Sequence, residues 1–62
     1  MNAIVVKADP EQLRRRRARA LAAVHLDADE LRARIDDGTA TPEEREAWEE
    51  VDTVDFLLAA AE

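Results

Sequence analysis

The chain has 62 residues, a net charge of −6, no cysteine and a single glycine. That length makes one small domain (residues 1–62), and a chain so short buries only about 60% of its unfolded surface. Disulfide staples are excluded, no zinc-ligand set is visible, and no apolar run approaches the roughly 20 residues of a membrane span. We therefore expect a cytoplasmic protein with no signal peptide and no membrane contact.

The charge is unevenly spread. Residues 1–24 carry six bases, Lys7 and five arginines, against Asp9 and Glu11, a balance of +4. Residues 25–62 carry thirteen acids against Arg32, Arg34 and Arg45, a balance of −10. A basic front and an acidic back fit two partner surfaces, or two halves of one fold that attract each other.

Residues 2–8 read as a strand, because Ile4, Val5 and Val6 are consecutive and β-branched. No second strand is visible in the sequence, so this one would leave a row of backbone groups unpaired. Ile4, Val5 and Val6 are therefore expected to pair antiparallel with the same segment of a second copy, giving a homodimer. The alternative is an irregular N-terminus.

Three helix starts follow. Asp9-Pro10-Glu11-Gln12, Asp27-Ala28-Asp29-Glu30 and Thr41-Pro42-Glu43-Glu44 each place a short oxygen-bearing side chain three residues before Glu or Gln. This is the capping-box spacing, and two of the starts add Pro at N1. The predicted helices cover residues 10–24, 28–37 and 42–60. On the first, Leu13, Ala20, Leu21 and Val24 form one stripe that also contains Arg17, while the other arginines scatter around the axis. On the second, Leu31 and Ile35 share a face with Ala28, Leu26 can staple Leu31, and Gly38 stands at C′. The third carries a wide apolar face of Ala47, Trp48, Val51, Val54, Leu57, Leu58 and Ala61. Asp55 lies inside that face, and Phe56 lies outside it on the flank near Asp52. Arg17 and Asp55, each inside an apolar stripe, are expected to pair with one another or with a partner chain.

The chemistry of catalysis is missing. The chain has no serine, tyrosine or cysteine. Its one histidine, His25, sits at a helix end, where it reads as a dipole partner. Adjacent acids such as Asp36-Asp37 and Glu43-Glu44 point different ways. Neither a Ca²⁺ loop nor a phosphate loop is present. We expect no enzyme, no cofactor and no metal.

Binding is better supported. Trp48, Val51, Asp55, Phe56 and Leu58, with Glu49 and Asp52, are the candidate partner-binding residues, and the acidic helix suits a basic, toxin-like protein. Trp48, Val51, Val54 and Leu58 can equally form the internal core. Lys7, Arg14, Arg15 and Arg19 are the candidates for nucleic-acid contact.

The order of strand, helix, short link and helix over residues 3–37, with residues 3–8 as the ribbon, resembles the ribbon-helix-helix family. The resemblance implies a mainly α fold whose strand pairs across a dimer and enters the DNA major groove. It further implies an antitoxin of a bacterial toxin–antitoxin pair, with an acidic C-terminal helix that wraps a basic toxin. The outward strand face here offers Ala3, Val5 and Lys7 rather than polar base-reading side chains. Asp27, Asp29 and Glu30 would repel phosphate where the family approaches it. Two other readings stand beside this one: a DNA-binding transcriptional regulator using the basic half, and a compact helical structural or phage accessory protein.

Overall fold

Each capped start opens a helix. In the computed structural model, which describes residues 9–60, these are α1 (Pro10–Val24), α2 (Ala28–Asp37) and α3 (Pro42–Ala60). The Asp27 carboxylate accepts from Glu30 N–H at 2.8 Å, and the Glu30 carboxylate accepts from Asp27 N–H at 3.1 Å. Thr41 and Glu44 make the same reciprocal pair, both bonds 3.1 Å long. Asp9 takes the Glu11 N–H at 3.0 Å, one position earlier than the box. These bonds satisfy donors that the helix starts would otherwise leave unpaired.

The first two helices end alike. Leu26 N–H donates to Leu21 C=O and His25 N–H to Ala22 C=O, at 3.3 and 3.2 Å. Thr39 and Gly38 N–H groups repeat the pattern on Arg34 and Ile35 at 3.0 and 3.2 Å. Both are Schellman ends, which need a left-handed residue at C′. Gly38 fills one at φ 74°, and His25 fills the other at φ 58°. Glycine is legible in this role, whereas His25 proves to be a backbone pivot as well as a helix-end side chain.

α1 and α3 pack against each other along their length, and α2 packs on α3. The α1–α3 pair is antiparallel: Arg16 reaches Glu50, while Ala23, nearer the end of α1, shares a groove with Glu43 at the start of α3. The buried apolar side chains are Leu13 from α1, Leu31 from α2, and Ala47, Val51 and Val54 from α3. α3 thus supplies most of the core, with one leucine from each neighbour closing on it.

This corrects the expected architecture. The described residues form three helices with no strand among them. The expected strand, with Ile4, Val5, Val6 and Lys7, lies outside the described residues. The third helix, expected either to wrap a partner or to join the internal core, is the element on which both others pack. The physical reason is the supply of apolar side chains. α1 and α2 each bury one apolar residue, too little for a core between them, whereas α3 buries three.

Three substitutions probe this arrangement. Leu31→Ala removes a fully buried side chain, at a cost of about 2–5 kcal/mol. Urea titration followed by circular dichroism should find the variant largely unfolded at 25 °C, because a core of this size supplies only about 3–5 kcal/mol. At Gly38 an added Cβ meets nothing within 4 Å. Gly38→Ala therefore isolates backbone strain and should cost about 1–2 kcal/mol. His25→Gly should gain less than about 1 kcal/mol, since glycine's freedom in the unfolded chain offsets part of the relief.

Candidate functional site

The arginine run 14–17 shows how helical geometry distributes a local cluster. Arg16 and Arg17 are neighbours in sequence, so they diverge by about 100° around α1. They straddle the buried seam and reach α3 on either side of it. Arg16 makes a two-pronged bond to Glu50, at 2.8 and 2.9 Å. Arg17 donates to Asp55 at 2.8 Å. Arg17 and Asp55 thus meet within one chain as expected, although both remain partly solvated, with side chains 33% and 50% exposed. Exposed pairs of this kind contribute only about 0.2–1 kcal/mol. Arg15 pairs with Glu11 on its own helix, and Arg14 and Arg19 are exposed. Of the four candidates for nucleic-acid contact, Arg14, Arg15 and Arg19 lie on α1, and Lys7 lies outside the described residues.

Glu44 holds the other seam. It is the one buried charged residue among those described, 8% exposed. One oxygen accepts from Thr41 N–H, and the other accepts from Arg34 of α2 at 3.0 Å. A single carboxylate therefore caps α3 and ties α2 to it. The capping role is visible in the Thr41–Glu44 spacing. The partner on α2 is not, because nothing in sequence brings Arg34 beside Glu44.

The candidate partner-binding residues separate into three groups. Val51 is fully buried and belongs to the core. Trp48 and Leu58 are half-buried at its margins, and Asp55 is held by Arg17. Glu49, Asp52 and Phe56 face outward. Their spacing of i, i+3 and i+7 puts them on one stripe of α3. Phe56 is 72% exposed, the most prominent apolar side chain of the described surface. Neither Glu49 nor Asp52 forms an ion pair among the described residues. Arg45 stands one turn before Glu49, at the start of the same stripe. Ala60, four residues beyond Phe56, leaves room at its far end.

A second surface is not foreseen from sequence. An open groove of about 540 Å³ runs between α1 and α3, and α2 contributes nothing to it. Ala20, Ala23, Val24 and Ala47 form its apolar floor. Arg16 and Glu50 bridge it. Their hydrogen bonds hold the Glu50 carboxyl below its ordinary value; partial desolvation opposes this, and the charges of Arg16 and Arg19 add to the lowering. The same bonds raise the Arg16 value. The signal for this groove lies in the small residues of α1, but only the α1–α3 pairing opposes them to Ala47.

Because folding lowers the Glu50 value, the stabilisation from this pair is complete above the unfolded carboxylate value of 4.5 and fades as pH falls through the folded one. Glu50→Gln should be less stable than the parent at pH 7, and urea midpoints measured toward acid should converge. A gap that persists unchanged into strong acid would contradict the assignment. No helix among the described residues is long and apolar enough to cross a membrane. No protein-family model matches the chain, and no curated protein or solved structure is significantly similar to it.

Proposed function

We propose that the chain is a non-catalytic interaction module of the cytoplasm, antitoxin-like in action, that neutralises a basic protein by docking the outward stripe of α3 upon it. The observation that carries this reading is the stripe itself: Phe56, 72% exposed, in line with two acids that have no ion-pair partner among the described residues. A lone exposed aromatic is ordinary on a protein surface. An aromatic anchor preceded on its stripe by two unpaired acids has the form of an interface, with Phe56 entering an apolar pocket and Glu49 and Asp52 meeting lysines or arginines at its rim. Glu49 and Asp52 would steer encounter more than they hold the complex, since rim charges act chiefly on association rates.

The arginines of α1 fit the same reading. Three of them are engaged by Glu11, Glu50 and Asp55. This leaves the basic front with less free charge than its sequence advertises, while the acidic back keeps its outward carboxylates.

The test is calorimetric titration of the full chain against a basic toxin-like protein captured by the immobilised parent chain and identified by mass spectrometry. Phe56→Ala should weaken binding by at least about 2 kcal/mol, a factor near 30, as removal of an interface anchor does. Glu49→Gln with Asp52→Asn should slow association and flatten its salt dependence. Unchanged affinity in the Phe56→Ala variant, with its helicity intact, would overturn the proposal.

A further inference from the structure

The groove between α1 and α3 has walls of opposite sign. Arg19 stands on the α1 wall, and Glu43 and Glu46 stand on the α3 wall. All three are exposed, and none forms an ion pair among the described residues. The floor between them is apolar and made of small side chains, Ala20, Ala23, Val24 and Ala47, so the backbone of another helix could approach closely. Ala20 and Val24 are only half-buried, and Ala23 is exposed. Five apolar side chains are buried among the described residues, a meagre core for a chain that lacks disulfides.

We propose that this face is the contact between two copies of the chain, which join their α1–α3 pairs into a four-helix bundle with α2 of each copy on the outside. The charge pattern selects the occupant and the symmetry. A two-fold axis running along the groove lays α1 of one protomer over α3 of its partner. Residues at the same level along the groove then face each other, so Arg19 meets the partner's Glu43 and Glu46, and the exchange occurs twice. An axis across the groove would instead lay α1 on α1, bringing arginine to arginine and glutamate to glutamate. Walls of opposite sign are therefore self-complementary in one arrangement and repulsive in the other. The floor residues of both copies are covered in the same step, adding apolar burial that one copy lacks. This contact uses a different side of α3 from the Phe56 stripe and does not rest on the proposed partner, so either proposal can fail alone.

The experiment is sedimentation of the full chain at micromolar concentration, with circular dichroism on every sample. The parent should sediment as a dimer. Arg19→Glu alone sets glutamate against glutamate twice, and Glu46→Arg alone sets arginine against arginine twice. Each should weaken dimerisation at least roughly tenfold. An equimolar mixture of the two variants should dimerise again. In the mixed pair the glutamate introduced at position 19 of one chain faces the arginine introduced at position 46 of the other, and the native Arg19–Glu46 pair is kept on the opposite side. Ala23→Lys, a change at an exposed position that reverses no charge, should give a folded monomer. A parent that remains monomeric, or a mixture that gains no dimer over its separate components, would overturn the proposal.

Discussion

Val51 and Val54 of α3 are inaccessible to solvent, and so is Leu31 of α2, while Leu13 of α1 is nearly so. The structure depends on this shared burial. One helix offers an apolar strip wide enough for two neighbours, and each neighbour inserts a leucine. Fully burying such a side chain contributes about 1.5–3 kcal/mol. With so few of them, each is a large fraction of the total, and the loss of any one is felt throughout. The same constraint places everything else. α3 must turn its strip inward, so the residues on its other side, Glu49, Asp52 and Phe56, have no choice but to face out.

The charged pairs act differently. Arg16–Glu50 and Arg17–Asp55 border the α1–α3 seam, and Arg34–Glu44 spans the α2–α3 seam. All three involve at least one substantially exposed side chain, so water screens them and their energetic share is small beside the leucines. Their value is in register. Sliding α1 along α3 by one turn would take Leu13 from its buried place and both arginines from their carboxylates, so the pairs and the leucine fix the same register. Glu44 carries more than the others because its second oxygen also caps α3, and a buried carboxylate without those partners would be costly.

Inward burial and outward charge leave two faces with different characters. One is the stripe of Glu49, Asp52 and Phe56 with Arg45 at its start, the surface proposed to meet a basic partner. The other is an apolar channel between walls of opposite sign, suited to a copy of itself. Both lie on α3, on different sides of the helix. The helix that organises the interior therefore also sets the geometry of both surfaces, and a change in how α3 packs would displace them together.

The helices themselves were legible from local chemistry. Asp27 with Glu30, Thr41 with Glu44, the prolines at N1 and Gly38 at C′ are decided by hydrogen bonds within a few residues, and such bonds form wherever the chain goes. The apolar periodicity likewise placed Leu13, Leu31, Ala47, Val51 and Val54 on inward faces, and the conflict of Arg17 and Asp55 with their stripes pointed to their pairing. What the sequence could not settle was which helix the others pack on. That depends on summed burial between elements distant along the chain. The ribbon-helix-helix resemblance rests on the order of strand, helix, link and helix over residues 3–37, and that order says nothing of where a third helix packs. Nor could the sequence supply Arg34 beside Glu44, the left-handed turn at His25, or the groove, whose two walls lie far apart along the chain. Capping and periodicity are local and survive any arrangement of the helices. Seams and grooves exist only once the antiparallel α1–α3 pair has formed, and the tertiary structure alone decides that pairing.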